Sequence, residues 1–180
     1  MITPFPLPGP VFGITGWKNS GKTTLVAELV SWFTERGFKV ATIKHAHCDV
    51  EFDRPGSDSF RHKQAGAQQV LLSSSKRWAL MTEVEGPELE LDDLLVQLDP
   101  ADLILVEGFK RGPHRKLQVV RLDHNPRPLD DEAEHLVAIA SDVPVNPADY
   151  RCEGPWLPLN HVDTIARFIA RKCGLQLTDE

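Results

Sequence analysis

The amino-acid sequence predicts an α/β fold of three layers, with a mostly parallel central sheet and additional antiparallel strands. Three patterns support this fold class. The short β-prone run Val11–Thr15 leads into apolar residues at helical spacing from Leu25 to Phe33. The apolar run Phe38–Ile43 then completes a βαβ unit, whose connection is expected to be right-handed. Leu103–Val106 is fully apolar, as in a strand that a parallel sheet buries on both faces.

The remaining elements are predicted from shorter patterns of the same kind. Three features mark their boundaries. They are a serine that can cap a helix, two β-prone runs around a serine cluster, and a C-terminal apolar stripe that ends in cationic residues and a glycine. Residues 123–134, rich in proline and acidic side chains, are expected to be irregular. The expected elements are a helix over Ser57–Ala65, a hairpin or two adjacent strands over Gln69–Leu72 and Arg77–Thr82, a helix over Leu91–Leu98, strands over Leu117–Leu122 and Leu136–Ala140, and a final helix from Val162 whose last turn contains Arg171 and Lys172 and which Gly174 follows.

The length of the chain suggests its domain organisation. A chain of 180 residues accommodates one α/β domain with a hydrophobic core and is too short for two ordinary domains. Residues 1–10 contain four prolines and no positively charged region before an apolar stretch, so we interpret them as an extended lead-in and not as a secretory signal. We predict a single domain over residues 11–174 and a C-terminal tail over residues 175–180.

Charge and cysteine content limit the classes of partner. Lysine and arginine number 20 against 26 aspartate and glutamate, a net charge of −6, which argues against wide contact with nucleic acid or an anionic membrane. No apolar run reaches the roughly 18 residues that a membrane-spanning helix requires. Three widely spaced cysteines suggest neither a disulfide framework nor a paired zinc site. We expect a cytoplasmic protein without nucleic acid or membrane partners.

The segment Gly16–Thr23 carries the strongest functional signal. Its sequence, GWKNSGKT, matches GxxxxGK(S/T) between the predicted first strand and first helix, which indicates a P-loop NTPase fold. In such a phosphate loop, backbone N–H groups and the helix N-terminus hold phosphate oxygens, Lys22 reaches the β- and γ-phosphates, and the Thr23 hydroxyl ligates magnesium. The alternative, a glycine-rich turn that happens to carry a lysine, leaves the flanking strand and helix unexplained. The predicted nucleotide-binding residues are Gly16, Lys18, Asn19, Ser20, Gly21, Lys22, Thr23 and Thr24, with Lys22 also catalytic and Thr23 also a metal ligand.

A second candidate group follows the apolar run of the predicted central strand. P-loop proteins need an acid at the end of a neighbouring strand to hold magnesium or its water, and Glu107 occupies this place. We predict that Glu107 is catalytic and a metal ligand, although aspartate is the usual acid there. Asp102, at the other end of the run, is expected to act as a cap at the surface.

Residues 108–116 form a basic stretch directly after this glutamate. The stretch gathers four cationic side chains and a histidine in an otherwise acidic protein. Two interpretations stay open: a solvated basic loop, or a site for a second anionic ligand or for the phosphate of a partner.

The polar segment 44–56 follows the second predicted strand. Loops at this place in P-loop folds often lie over the phosphates. We therefore predict that Lys44 and His45 contact nucleotide, and that Asp49 or Asp53 assists magnesium. An exposed polar loop is the alternative.

Four stretches together run through nearly the whole chain and carry a family resemblance. They are GWKNSGKTTL at Gly16–Leu25, IKHAHCDVEFDRPGSDSFRHKQAGA at Ile43–Ala67, LILVEGFKR at Leu103–Arg111 and LPLNHVDTIARFI at Leu157–Ile169. The first is shared by many nucleotide-binding proteins, whereas the KHxH and VEGFK patterns are more particular. On these stretches the chain resembles the molybdopterin-guanine dinucleotide biosynthesis adapter (MobB) family of P-loop GTP-binding proteins.

The resemblance implies GTP with magnesium, weak intrinsic hydrolysis and a homodimer. It also implies cooperation with the guanylyltransferase MobA in attaching GMP to molybdopterin. Carried onto matching positions, it supports phosphate binding by residues 16–24, Glu107 as the acidic partner, and functional loops around Lys44 and Lys110, with Lys110 as a nucleotide-binding residue. A related class has a signature lysine where this chain has Trp17, so the adjacent lysine is not assumed to act across a dimer.

Guanine recognition has no clear motif in this chain. GTP proteins commonly use an NKxD element, and Asn160–Asp163 approximates it with His161 in place of the lysine. We prefer to interpret these residues as a helix start, with Asn160 at the cap and Asp163 near the helix dipole. Asp142, after the strand predicted over Leu136–Ala140, is the other guanine candidate.

Two other functions stay open beside the adapter, which we favour. In a small-molecule kinase, Glu107 or a loop aspartate orients an acceptor hydroxyl and the basic stretch binds the acceptor's anionic groups. In a metallochaperone GTPase, His45, His47 and Cys48 bind metal, although their spacing fits no closed zinc pattern.

Overall fold

The structure is a computed structural model that describes residues 7–46, 53–124, 126–129 and 135–178. The chain divides into two compact units, one formed by Met1–His45 with Leu91–Glu180 and the other by Ala46–Glu90. In chain order the elements are β1 (Val11–Gly16), α1 (Lys22–Thr34), β2 (Val40–Lys44), α2 (Asp58–Gln64), β3 (Gln69–Ser73), β4 (Trp78–Thr82), α3 (Leu91–Leu95), β5 (Leu103–Glu107), β6 (Lys116–Val120), β7 (Leu136–Ser141), a 3₁₀-helix (Pro147–Tyr150), β8 (Trp156–Pro158) and α4 (Val162–Cys173).

The larger unit is built on a parallel sheet whose strands lie in the order β2-β5-β1-β6-β7-β8. Each neighbouring pair in this sheet is parallel. The connection from β1 through α1 to β2 therefore passes over the place that β5 later fills. Strand β1 lies between β5 and β6, where the strand order reverses, and in such sheets ligands bind outside the carboxyl ends of the strands at this point.

The sheet separates two apolar layers. On one face, Phe12 and Ile14 of β1 pack with Leu29 and Phe33 of α1 and with Ile169 of α4, all fully buried. The opposite face is covered by α3 and by the 3₁₀-helix, through Leu91, Leu95 and Tyr150 among others. This arrangement confirms the predicted three-layer α/β fold with a mostly parallel sheet. Within the described ranges, no helix is both long and apolar enough to cross a membrane.

The smaller unit contains helix α2 and the antiparallel pair β3 and β4. The predicted cap is confirmed, since the Ser57 hydroxyl accepts a hydrogen bond from the Phe60 N–H at 3.2 Å. In the hairpin, Leu71 lies opposite Leu80, and both are exposed together with Trp78. These strands are the additional antiparallel strands that the sequence predicts.

Three local predictions differ from the structure. The 3₁₀-helix and β8 were not predicted, because β8 has only three residues and such a run shows no periodicity. Helix α3 ends at Leu95 and not at Leu98, because its last turn tightens into i→i+3 bonds, as from the Leu98 N–H to the Leu95 carbonyl. The N-cap of α4 is His161 and not Asn160, and no side chain caps this helix start.

The two ends of the described chain pack on the larger unit. The Ala101 N–H donates to the Pro8 carbonyl at 2.9 Å, which joins the lead-in to the segment before β5. At the other end, Leu175 and Leu177 pack against the core beside α4. The boundaries at residues 10 and 174, and the assignment of one domain between them, stay predictions.

A group of buried polar side chains interrupts the apolar layer that faces away from α1. Thr15 and Gln118 are paired in register, and Gly13 is paired with Lys116, all within the centre of the sheet. The His114 imidazole lies over Gly13, where a Cβ atom would approach its Nε2 to 2.5 Å. Neither nitrogen of this ring has a hydrogen-bond partner among the described residues. Burial, with the charges of Lys116 and His135, lowers the pKa of His114 from 6.5 to about 4.

This histidine makes stability depend on pH. Because its folded-state pKa lies below its unfolded value, the unfolded chain binds the extra proton first, and stability falls as the pH drops from about 6.5 to about 4. Because part of the ring reaches solvent, the shift corresponds to about 1–2 kcal/mol of stability. In His114→Gln, urea unfolding at pH 7, 5.5 and 4 should show a smaller loss of unfolding free energy than in the unsubstituted chain. The exposed His62→Gln is the control, and equal pH slopes in all three proteins would contradict the assignment.

Candidate phosphate and magnesium site

The phosphate loop connects β1 to α1 at the centre of the sheet. Gly16 and Gly21 have φ angles of 147° and 94°, and Asn19 has a φ of 64°, which turns the chain sharply between strand and helix. A Cβ atom on Gly16 would approach the Val119 carbonyl oxygen to 2.5 Å and the Ser20 hydroxyl oxygen to 2.9 Å. The motif glycine at position 16 is therefore required by close approach as well as by backbone conformation.

The interior of the loop contains a polar atom that the protein itself does not use. The Ser20 Oγ is buried and has no hydrogen-bond partner among the described residues. Helix α1 begins at Lys22, directly after the loop, so the N–H groups of its first turn have no partner within the helix. These features fit an oxyanion, which accepts hydrogen bonds from backbone N–H groups and hydroxyls at a helix N-terminus.

The Lys22 ammonium group folds back over the loop. Its Nζ donates to the Trp17 carbonyl at 2.6 Å. Burial lowers the pKa of Lys22, the charges of Lys110 and Lys44 lower it further, and Glu107 raises it. A phosphate placed beside Lys22 would offset both the burial and the repulsion, so this environment favours an anion.

Thr23, Glu107 and Lys44 meet at the start of α1. The Thr23 Oγ1 donates to Glu107 Oε1 at 2.8 Å, and Lys44 Nζ lies 3.5 Å from the same oxygen and 3.4 Å from Thr23 Oγ1. Glu107 is paired in register with both Ile14 and Lys44, and paired residues of a parallel sheet point to the same face. The register therefore directs the Glu107 carboxylate toward α1, although the residue is buried.

The same residues fit a magnesium ion. Mg²⁺ prefers oxygen ligands and commonly takes one or two from the protein while phosphates and waters supply the rest. Thr23 Oγ1 and Glu107 Oε1 are such oxygens, held within hydrogen-bond distance of each other. No group of three or more histidine, cysteine, aspartate or glutamate side chains is arranged to hold a metal in the described part of the chain. His47, Cys48 and Asp49 lie outside the described residues.

Two other residues that the sequence predicts for the site, His45 and Asp53, make contacts within the protein. The His45 ring packs against the Phe109 ring at 4.6 Å, and the His45 N–H donates to the Glu107 carbonyl at 2.9 Å, so His45 joins β2 to the end of β5. Asp53 belongs to the smaller unit and accepts a hydrogen bond from Ser57 at 2.8 Å, which indicates a role in holding the start of α2.

The basic stretch after β5 does not form a uniformly solvated loop. Lys116 is fully buried at the start of β6, and its Nζ donates to the Gly112 carbonyl at 2.6 Å. Arg115 donates to the Lys172 carbonyl at 2.7 Å, at the end of α4. Lys110 has a different position, with its Nζ 4.2 Å from the centre of the Trp17 ring beside the phosphate loop. Of these three cations, Lys110 is the one that lies at the candidate site.

The two aspartates considered for guanine recognition, Asp163 and Asp142, lie in different places. Asp163 accepts from the Trp32 indole N–H at 3.2 Å and from Arg167 at 2.9 Å, which ties α4 to the C-terminal half of α1, away from the loop. This supports the helix-start interpretation of Asp163. Asp142 instead follows β7 at the carboxyl edge of the sheet, where its Oδ1 accepts from the Leu122 N–H at 3.4 Å.

Two residues next to the loop were not predicted to belong to the site. The Arg121 guanidinium lies against Gly21, where a Cβ atom would meet its Nε at 3.1 Å, and it lies 4.0 Å from Asp142 Oδ2. Arg127 Cζ lies 3.8 Å from the centre of the Trp17 ring. Arg121 follows the strand beside β1, and this position is a signal that the sequence contains. Arg127 lies in a stretch without periodicity, which offers no such signal.

Comparisons with known proteins identify the family. Residues 11–142 match the family described as "Molybdopterin guanine dinucleotide synthesis protein B" (MobB). Two curated relatives are molybdopterin-guanine dinucleotide biosynthesis adapter proteins. The one from Haemophilus influenzae is 40% identical over 162 residues, covering 89% of this chain and 87% of the relative. The one from Escherichia coli is 39% identical over 165 residues, covering 89% and 91%.

Solved structures agree with this result. The crystal structure of a MobB protein homolog from Bacillus stearothermophilus superposes with a TM-score of 0.67 at 26% identity, covering 91% of this chain and 97% of that one. The crystal structure of MobB from Bacillus subtilis, at 22% identity and a TM-score of 0.66 over 88% and 96% of the two chains, supports the fold. The extent of these matches shows that the chain belongs to the MobB family.

Proposed function

We propose that this protein is a GTP-binding adapter that assists the conversion of molybdopterin to molybdopterin guanine dinucleotide. The curated relatives at 39–40% identity carry the adapter function in their names. The observation that carries the proposal is the contact of Thr23 with Glu107 beside Lys22, at the end of β1. This contact supports a nucleoside triphosphate with magnesium as the ligand. The relatives of the protein act in guanine dinucleotide synthesis, which favours GTP.

The roles of the chain's own groups follow from their positions. The phosphate loop binds the phosphates through its backbone N–H groups and Ser20, and Lys22 exchanges its bond to the Trp17 carbonyl for a phosphate oxygen. Magnesium, when bound, neutralises phosphate charge and orients its water ligands. Thr23 and Glu107 are the residues that would hold it.

Hydrolysis by this site is proposed to be weak. In P-loop hydrolases a side chain orients the attacking water and an arginine stabilises the developing charge. Glu107 Oε1 accepts a hydrogen bond from Thr23, but it also contacts Lys44, which restrains it as a base. An adapter therefore fits this arrangement better than a fast enzyme.

Guanine recognition is assigned to Asp142 in this proposal. Asp142 lies after β7, two strands from β1 in the sheet order, or about 10 Å at the usual strand spacing. Its carboxylate is of the right kind to accept the N1 and N2 hydrogens of guanine. Arg121, between Gly21 and Asp142, connects this position to the phosphate loop.

The partner of the adapter is proposed to be the guanylyltransferase MobA, with molybdopterin as the substrate of the joint reaction and the cytoplasm as its location. The chain is also proposed to form a homodimer. Its hairpin supports this, because Leu71, Leu80 and Trp78 are 60%, 46% and 67% exposed. An isolated two-stranded hairpin has little stability of its own, and exposed apolar side chains on it favour contact with a second copy.

The phosphate assignment is tested by Lys22→Ala. Loss of one charge-assisted contact to phosphate should weaken GTP binding in the presence of magnesium by about 30- to 100-fold in calorimetry. The variant should also lose the ability to stimulate molybdopterin guanylylation by MobA. Lys76→Ala removes the same charge from the exposed β3–β4 turn and should behave like the unsubstituted chain. Preference for ATP, with phosphorylation of an acceptor, would contradict the adapter and support a kinase.

The magnesium assignment is tested by Glu107→Gln, which keeps the side-chain size and removes the charge. The magnesium concentration for half-maximal GTP binding should rise about tenfold, since one charged ligand contributes on the order of 1.4 kcal/mol or more. GTP binding without magnesium should change much less. Glu85→Gln, on an exposed glutamate, is the control. An unchanged magnesium dependence in Glu107→Gln would remove this residue from the metal site.

The homodimer is tested by Leu80→Lys in light scattering coupled to size exclusion. A lysine on the exposed hairpin face should convert a dimer of the unsubstituted chain to a monomer, because the charge would be buried at the interface. Val96→Lys introduces the same charge at an apolar residue that is 58% exposed in the larger unit, and it should leave the dimer intact. A monomeric unsubstituted chain at micromolar concentration, or a dimeric Leu80→Lys variant, would contradict this interface.

A further inference from the structure

Trp17 occupies an unusual place for a large aromatic side chain, as the second residue of the phosphate loop. Its backbone carbonyl accepts the hydrogen bond from Lys22. Its indole N–H points to a different segment and lies 3.1 Å from the Arg127 carbonyl and 3.3 Å from the Pro128 carbonyl. One residue therefore connects the lysine of the loop to residues 126–129.

Two cations from separate segments converge on the Trp17 ring. Lys110 Nζ lies 4.2 Å from the ring centre and Arg127 Cζ lies 3.8 Å from it, both within the range of cation–π attraction. Within the described ranges, neither cation forms an ion pair with a carboxylate. Both cations lie at the Trp17 ring beside the phosphate loop in a protein with a net charge of −6, which indicates a site that attracts an anion.

The backbone of residues 126–129, which contains Arg127, is held by side chains of the sheet and of the 3₁₀-helix. The Gln118 amide donates to the Arg127 carbonyl at 3.0 Å, and the Tyr150 hydroxyl donates to the Pro126 carbonyl at 2.9 Å. Leu129, at the end of this described segment, is buried. With the indole N–H of Trp17, three side-chain donors hold residues 126–129, so the position of Arg127 is set before any ligand arrives.

The backbone that carries Arg127 lies on the opposite side of the sheet from the magnesium residues. Leu117 and Val119 pack toward α1, so the alternation along β6 directs Gln118, and with it the Arg127 backbone, to the other face. Phe109, next to Lys110, packs in the cluster on that same face. Thr23, Glu107 and Lys44 instead meet on the α1 side.

We propose that Trp17, Lys110 and Arg127 form an anion subsite that binds the phosphate monoester of a second small molecule while the phosphate loop holds its nucleotide. This subsite deepens the proposed function and rests on it for the identity of the loop ligand. Lysine and the planar guanidinium of arginine both bind phosphate oxygens, and the indole ring keeps the two cations in place. A phosphorylated ligand held here would lie next to the nucleotide phosphates, as the joint use of two phosphate compounds requires.

The test uses the full chain saturated with magnesium and a non-hydrolysable GTP analogue. The probe is 6-hydroxymethylpterin monophosphate, titrated by calorimetry, with unphosphorylated 6-hydroxymethylpterin as the matched ligand. We expect the monophosphate to bind and its affinity to fall at least about tenfold in Lys110→Gln and in Arg127→Gln, with less than a twofold change for the GTP analogue in Arg127→Gln. Arg111→Gln removes the same charge from the neighbouring exposed residue and should leave both affinities unchanged.

The possible results distinguish a phosphate of the loop nucleotide from the phosphate of a second small molecule. If Arg127→Gln weakens GTP but not GDP, Arg127 serves the γ-phosphate of the loop nucleotide and the second-ligand subsite is wrong. Absence of binding by the monophosphate, or equal binding by the variants, also overturns it. If the unsubstituted chain does not bind GTP, the proposed function fails, and the subsite is then tested by the same probe and variants without nucleotide.

Discussion

The contact between Thr23 at the start of α1 and Glu107 at the end of β5 is the interaction on which the candidate site depends. It joins two segments 84 residues apart through a hydrogen bond of 2.8 Å. The sheet makes this contact possible, because β5 is inserted between β2 and β1 and the register directs Glu107 to the face that α1 covers. The same register brings Lys44 of β2 to Glu107. An acid and a lysine from two strands therefore meet the loop between a third strand and its helix.

Much of this arrangement could be predicted from the sequence, because it rests on local signals. The glycines and Lys22 follow a fixed spacing, and Glu107 ends an apolar run that reads as a buried strand. Strand order does not follow from such signals, since the neighbours of β1 are set by packing of the whole sheet. The contributions of Trp17 and Arg127 are also non-local, because a ring and a guanidinium 110 residues apart meet only in the folded chain. The burial of Lys116 could not be predicted either, because the surrounding residues 108–116 are basic and polar in sequence.

The electrostatics of the site oppose the charge of the protein as a whole. Lys110 and Lys44 act on Lys22 strongly enough to lower its pKa, although burial is the larger cause. Glu107 acts in the other direction and raises the pKa of this lysine. A site of this kind costs free energy while it holds no anion, because like charges are brought together in a partly buried place. A phosphate chain bound at this place would relieve that cost, and local positive charge of this kind is compatible with an acidic chain.

The same reasoning applies to the polar atoms buried around β1. Ser20 Oγ, Thr15 Oγ1 and Gln118 Oε1 have no hydrogen-bond partner among the described residues, and each such atom costs about 1–3 kcal/mol when it stays unsatisfied. They lie on β1, on the loop that follows it and on the adjacent β6. Stability is thus lowered around the candidate site, and a ligand that bound only the folded chain there would restore it. Because Gln118 also holds the Arg127 backbone through its amide, part of this cost maintains the segment that presents Arg127 to the loop.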